Sequence, residues 1–328
     1  MDNNTTNTQS LSKFSAELAD LIEKEFFNDY GLSVSAKSQP VMKTNGERQG
    51  ITVRFDGNRV SPTVYVEEAY QKYTDGETTI PEIVDRLCDT VYEAQKNSPE
   101  LPELTPEEAR KHITLTLVNT EHNQQLLADT PHWEILGGEL SAIPRWYISD
   151  EASFIVKNSL CSEMGLTPEE VLQIGQQNIN SQKFESRSML EVLEEMMGPE
   201  MADMMLPMDG TPQMIVLTSE NKIQGSNALL SESALDEVRE KLEGDYVVLP
   251  SSIHEVICIP VTEDMKAKDL RSMVMDVNST QVAPEERLSD QIFMYDGMKL
   301  RVVGDSLKMD TPKTESPKME SQHMSFAM

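Results

Sequence analysis

The fold of this chain is decided in its last third by residues 246–261, which have the sequence YVVLPSSIHEVICIPV. Residues 246–249 and 255–261 are apolar runs rich in β-branched side chains, and a proline with two serines separates them, so the pattern predicts two strands joined by a tight turn. A helix that ends at Gly244 is expected before them, and a helical stripe over residues 270–277 follows. Pairs of closely joined strands alternating with helices favour an antiparallel sheet with helices on one face, which is the α+β class.

Working outward, the apolar runs at residues 214–218 and 228–230 predict two further strands, and residues 291–303 predict a hairpin around Asp296-Gly297. Upstream, apolar residues spaced by three and four from Leu11 to Phe26 predict a helix, and residues 32–36 and 50–55 predict strands on either side of an Asn45-Gly46 turn. The stripe over residues 80–92 predicts another amphipathic helix. Identical TPEE segments at residues 105–108 and 167–170 predict two helix starts, because each supplies an N-cap hydroxyl, a proline and two acids.

These elements predict two α+β lobes built from antiparallel or mixed sheets covered by amphipathic helices, with disordered termini. The predicted boundaries are a disordered N-terminus (1–9), an N-terminal lobe (10–180), a Met/Pro-rich connector with one helix (181–212), a C-terminal lobe (213–303) and a disordered tail (304–328).

The composition excludes several classes of function. Asp and Glu number 56 against 28 Lys and Arg, which gives a net charge of −28 over 328 residues. Such a surface repels phosphate backbones and anionic lipid heads, so we expect neither direct nucleic-acid binding nor membrane binding. No apolar run is long enough for a membrane helix, no signal peptide is expected, and three free thiols fit a reducing compartment, so we expect a cytoplasmic protein.

Motifs for catalysis are scarce. The sequence has no GxGxxG, HExxH, GxSxG or CxxC, and no histidine pair at metal-ligand spacing, so we expect no cofactor and no metal. The exception is His254, with Ser251, Ser252 and Cys258 nearby, which would suit a hydrolase or transferase in which the histidine is the base. The alternative is a loop-to-strand junction whose Ser and His side chains satisfy local backbone groups.

Methionine is concentrated between residues 189 and 214. Its flexible, polarizable side chain suits either an irregular core or a pliable binding groove. We predict that Met189, Met196 and Met214 fill a core, and for residues 201–208 both interpretations stay open.

Several segments together resemble a bacterial family known as domain of unknown function 5688. They are PQMIVLT (212–218), LPSSIHEVI (249–257), QVAPEERLSD (281–290), SPTVYVE (61–67), VNTE (118–121) and SMLEVLEEMM (188–197). The resemblance covers residues 10–296. It implies a cytoplasmic bacterial protein of a kind often encoded on or near mobile elements, and it implies no activity.

We hypothesise that the segments around His254 and Asp290 line one cleft, in which Glu255 and Asp290 orient the imidazole. The candidate cleft residues are Ser251, Ser252, His254, Glu255, Asn278, Gln281, Glu285 and Asp290. The sequence favours a non-enzymatic protein that binds a protein partner, with a basic partner as the natural complement to its charge. The alternatives are an acidic decoy that imitates DNA to occupy a DNA-binding protein, and the hydrolase or transferase described above.

Overall fold

A computed structural model describes residues 3–58, 60–149, 152–205, 213–250, 252–305 and 307, with the side chains of 3–9 and 203–205 left out. The helices are α1 (Asn3–Asp29), α2 (Glu67–Thr74), α3 (Ile80–Lys96), α4 (Pro106–His112), α5 (Gln124–Leu127), α6 (Asn158–Glu163), α7 (Pro168–Ser181), α8 (Met189–Met197), α9 (Pro199–Met205), α10 (Glu232–Lys241) and α11 (Ala267–Thr280). The strands are β1 (Val34–Lys43), β2 (Gly46–Phe55), β3 (Thr63–Tyr65), β4 (Ile113–Asn119), β5 (Trp133–Ile135), β6 (Leu140–Tyr147), β7 (Ser153–Ile155), β8 (Phe184–Ser188), β9 (Ile215–Ser219), β10 (Tyr246–Leu249), β11 (Glu255–Pro260), β12 (Phe293–Tyr295) and β13 (Leu300–Val302).

The strands form three antiparallel sheets. The first has the order β1-β2-β3, and the second has the order β4-β6-β5 with β7 also paired to β6. The third has the order β13-β12-β10-β11-β9-β8. The predicted α+β class with antiparallel sheets is therefore confirmed.

Both predicted hairpins form at the predicted turns. Asn45 takes a φ of 62° between β1 and β2, which asparagine tolerates better than most residues. Gly297 takes a φ of 80° between β12 and β13, and the Asp296 carboxylate accepts hydrogen bonds from the backbone N–H groups of Met298 and Lys299. Local turn chemistry thus fixes the register of both strand pairs.

The two TPEE segments begin helices as predicted. Thr105 Oγ1 accepts from the Glu108 N–H at 3.3 Å at the start of α4. At the start of α7, Thr167 and Glu170 form a reciprocal capping box. Hydrogen bonds from Thr167 hold the pKa of Glu170 below its usual value.

Helices cover both faces of the third sheet, which corrects the expectation of helices on one face. Val248 packs in a cluster with residues of α10, whereas the adjacent Val247 packs with Leu270 and Val274 of α11. Successive side chains of a strand point to opposite faces, and every residue of β10 is buried. A continuous apolar run such as 246–249 therefore marks a strand covered on both sides.

The buried residues group into clusters that join several segments of the chain. One cluster joins α1, the first sheet and α3, between Phe14 and Val91. Another joins the second and third sheets, from Leu115 of β4 to Tyr295 of β12. The lobe boundaries stay a prediction, but buried residues on both sides of the predicted connector 181–212 share one core.

Residues 228–230, predicted as a strand, belong instead to a 3-10 turn over Gly225–Leu230. Ser226 N–H donates to the Ile253 carbonyl at 3.1 Å, and this bond docks the turn against the segment before β11. A run of three apolar residues is too short to show the periodicity that distinguishes a strand from a helix, so its conformation depends on tertiary packing.

Helix α1 begins at Asn3, earlier than the helical pattern that starts at Leu11. Residues 1 and 2, most of the predicted tail 304–328, and Ser251 of the predicted cleft lie outside the described residues.

Candidate functional site

The structure brings the two segments of the predicted cleft into contact. Ile253 N–H donates to the Glu286 carbonyl at 2.9 Å, so the segment between β10 and β11 lies against the 3-10 turn Pro284–Glu286. Ser226 N–H meets the Ile253 carbonyl from the other side. The junction is therefore held by backbone hydrogen bonds from two other segments.

The carboxylate beside His254 belongs to Glu286, whereas the sequence analysis assigned that place to Glu255 and Asp290. His254 Nε2 lies 3.4 Å from Glu286 Oε1, and the Gln224 N–H donates to Nδ1 at 3.4 Å. Glu255 is the next residue along the chain and lies beside α8, where it lines a small cavity. Asp290 accepts a hydrogen bond from Asn278 Nδ2 at 2.9 Å.

The remaining predicted residues hold the loop that follows α11. Asn278 is buried, and its Nδ2 also donates to the Ser289 carbonyl at 2.9 Å. Gln281 N–H donates to the Val277 carbonyl where α11 ends. Glu285 Oε1 lies 3.7 Å from a guanidinium nitrogen of Arg48 in β2. Each of these contacts joins two segments of the chain and so has a structural role.

Among the described residues, which leave out Ser251, the geometry around His254 does not assemble a nucleophile and its base. Ser252 Oγ accepts from the backbone N–H of His254 at 3.0 Å, which is the local capping role weighed against catalysis. A catalytic pair would need a hydrogen bond between that hydroxyl and the imidazole ring. Cys258 is buried, and burial raises the pKa of its thiol well above the usual range, as for an inert core cysteine.

An asparagine pair joins the first hairpin to the same loop. Asn123 Nδ2 donates to Asn45 Oδ1 at 2.7 Å, and Asn45 Nδ2 donates to the carbonyls of Pro284 and Arg287 at 2.9 and 2.6 Å. Sequence analysis placed Asn45 in a turn but had no signal for its long-range partners. The region around His254 is therefore a structural joint among distant segments.

Another surface has the opposite character, because its apolar side chains are half-buried or exposed. Helix α8 starts with a capping box between Ser188 and Glu191, and six of its residues are apolar. None of them is buried. They are Met189, Leu190, Val192, Leu193, Met196 and Met197. We call this set of side chains the α8 surface.

Beneath the C-terminal half of α8 lies a cavity of about 140 Å³. Val192, Met196 and Val216 give it an apolar wall. At its edge, Lys222 Nζ lies 3.0 Å from Glu195 Oε1, and Arg187 also pairs with Glu195. These two cations lower the pKa of Glu195, with the hydrogen bond from Arg187 as the larger cause.

The prediction that three methionines fill a core is wrong for Met196. Its exposed fraction is 74%, because α8 presents it at the surface. Met189 is half-buried, and Met214 packs against the cluster of α11. For residues 201–208, both interpretations were left open by the sequence. Met201 is exposed, and residues 206–212 lie outside the described residues.

Two searches of the described residues bound the chemistry further. No three or more His, Cys, Asp or Glu side chains are grouped there so that they could hold a metal ion. No helix in that part of the chain combines the length and apolarity needed to cross a membrane.

Comparison with known proteins gives one match. A model of a family described as "Family of unknown function (DUF5688)" matches residues 11–297. No curated protein and no solved structure matches the chain.

Proposed function

The chain belongs to this family of unknown function, and from that premise we propose that it is a binding protein whose α8 surface captures a basic amphipathic helix of a partner protein. The observation that carries the proposal is that α8 has six apolar residues and buries none of them. Helix α3, by contrast, buries Ile83, Val84, Cys88 and Val91. An amphipathic helix normally buries its apolar face against the rest of its own chain.

The side chains of the α8 surface suit a helical ligand. Methionine adapts its shape without branching constraints, and Met-rich grooves are a known way to hold the apolar face of an amphipathic helix. Met196 projects beside the cavity of about 140 Å³, which offers room for an anchoring side chain of the ligand.

The charges around the α8 surface favour a partner of positive charge. The glutamates on or beside it are Glu185, Glu191, Glu194, Glu195, Glu200 and Glu255. The basic residues there are Arg187 and Lys222, and both are paired with Glu195. The rim is therefore negative in excess, which favours a cationic helix and speeds its encounter at low salt.

A designed peptide tests the proposal directly. The probe is a synthetic amphipathic helix of leucine and lysine, compared with a scrambled peptide of the same composition. We expect the full chain to bind the amphipathic peptide more tightly than the scrambled one in a fluorescence anisotropy titration. Met196→Ser should weaken that binding by about fivefold to tenfold, because one partly buried methionine contact is lost.

The matched control is Met298→Ser, because Met298 is 89% exposed in the turn between β12 and β13, away from α8. It should leave the affinity unchanged. Equal binding of the two peptides, or equal effects of the two variants, would refute the proposal. Self-association that Met196→Ser abolishes would show that the occupant is a second copy, and the partner class proposed here would be wrong.

A further inference from the structure

The cavity of about 140 Å³ beneath α8 has the size of a site for a single side chain. Whole small-molecule ligands occupy sites of about 300–1,000 Å³, so this cavity is too small for most of them. Its apolar lining comes from Val192 and Met196 of α8 and from Val216 of β9. An aliphatic chain that enters the cavity would therefore find apolar contact along its length.

Two carboxylates lie beside this apolar lining because of the register of the third sheet. Glu185 of β8 and Glu255 of β11 are both paired with Thr218 of β9, from opposite sides. Residues that are opposite one another on neighbouring strands share a face of the sheet, so the two glutamates flank Thr218 with about 10 Å between their Cα atoms. Both line the cavity, and Glu185 is half-buried whereas Glu255 is exposed. We call Glu185 and Glu255 the carboxylate pair.

The other charged groups of the cavity neutralise one another in part and leave the carboxylate pair without a counter-charge. Glu195 already receives Arg187 and Lys222, as described above. Among the described residues, neither member of the carboxylate pair forms a salt bridge, and the lining carries three glutamates against one arginine and one lysine. The nearby segment 203–212, whose side chains are not described, contains no Lys or Arg. A cation between the two carboxylates would remove the excess negative charge.

We propose that this cavity is the anchor site for one lysine or arginine side chain of the partner helix. The methylene stem lies against the apolar lining, and the cationic head lies between the carboxylate pair. Long basic side chains commonly bury their stem in this way while the head stays near water. The inference rests on the capture of a basic helix proposed above, and it adds which side chain of that helix enters the cavity. An aliphatic anchor would leave the carboxylate pair unneutralised, and an acidic one would be repelled.

Two peptides test the anchor with the full chain. The first is the leucine and lysine helix described above, and the second is the same helix with every lysine replaced by glutamine. We expect the lysine peptide to bind more tightly in fluorescence anisotropy. The double variant Glu185→Gln/Glu255→Gln should weaken binding of the lysine peptide by about fivefold, the effect of a partly exposed ion pair, and leave binding of the glutamine peptide unchanged. Glutamine preserves the size of each side chain, and circular dichroism checks the fold.

The matched control is the double variant Glu194→Gln/Glu200→Gln, which removes two charges from exposed glutamates of α8 and α9 outside the cavity lining. It should weaken binding of the lysine peptide by about twofold or less at about 0.15 M salt, because salt screens charges that do not touch the ligand. Equal effects of the two double variants would overturn the anchor and leave the capture of a basic helix standing. An equal loss for both peptides in Glu185→Gln/Glu255→Gln would also overturn it. If the lysine peptide binds no better than its scrambled version, the proposed function fails and the anchor fails with it.

Discussion

Three glycines differ in how much room they leave for a side chain, so replacing each by alanine should change the free energy of unfolding by different amounts. A Cβ atom at Gly225 would collide with the His254 carbonyl oxygen and lie 2.6 Å from the backbone nitrogen of Ser219. At Gly175 in α7 it would lie 2.6 Å from Cδ2 of Leu115, the end of a flexible side chain. At Gly244 it would meet nothing within 4 Å.

The expected losses of stability follow from what must move. Gly244→Ala should be neutral or stabilising by about 0.5 kcal/mol, because alanine restricts the unfolded chain. Gly175→Ala gains about 1 kcal/mol of helix propensity and loses about 2 kcal/mol to overpacking, a net cost of about 1 kcal/mol. Gly225→Ala should cost about 3 kcal/mol or more, because the 3-10 turn must move away from the backbone of Ser219 and His254.

Urea denaturation followed by tryptophan fluorescence measures all three variants, since the chain contains two tryptophans. A loss of about 3 kcal/mol is a large fraction of the 5–15 kcal/mol that stabilises a typical domain. The reasoning fails if Gly225→Ala and Gly244→Ala have the same free energy of unfolding. It also fails if Gly175→Ala is the most destabilised variant.

Four further measurements follow from the structure. Thr167→Ala should lower the free energy of unfolding by about 1 kcal/mol, because the capping box with Glu170 is lost; an unchanged urea midpoint would contradict this. The buried Cys258 should react with a thiol reagent only after denaturant is added, and fast labelling in native buffer would show that the site opens. Hydrogen bonds from Ser186 and Lys241 lower the pKa of Glu237 in the folded chain. The ionised Glu237 therefore stabilises the fold above the pKa of an unfolded glutamate, about 4.3, and this stabilisation is lost as the pH falls through the lower pKa of the folded state. Glu237→Gln should therefore flatten the loss of stability in acid, and parallel pH profiles would refute the assignment. If the acidic surface acts as a decoy, DNA should compete with the natural partner and salt should weaken the complex steeply, so a salt-independent complex excludes that alternative.

The elements that sequence reasoning identified are those with local causes. Asn45-Gly46 and Asp296-Gly297 specify their turns through backbone preferences that neighbouring residues already determine. The starts of α4 and α7 follow from Thr-Pro-Glu-Glu, because capping requires only the first turn of the helix. The chemistry of these segments does not depend on the rest of the fold.

The features that sequence reasoning missed depend on contacts between distant segments. The identity of the carboxylate beside His254 depends on where the loop after α11 lies, and Glu286 is 32 positions away in the sequence. The exposure of Met196 could not be inferred from its apolar side chain, because exposure depends on whether another segment packs over α8. The joint around Asn45 likewise connects residues 239 positions apart.

The loop that joins β9 to the 3-10 turn, residues 220–224, contacts both the junction around His254 and helix α8. The Gln224 N–H donates to His254 Nδ1 at 3.4 Å, whereas Lys222 Nζ lies 3.0 Å from Glu195 Oε1 of α8. Lys222 and Gln224 hold φ values of 57° and 54°, a region that costs free energy for residues other than glycine. The ion pair with Glu195 and the hydrogen bond to His254 offset this cost, so the loop physically connects the α8 surface to the junction around His254.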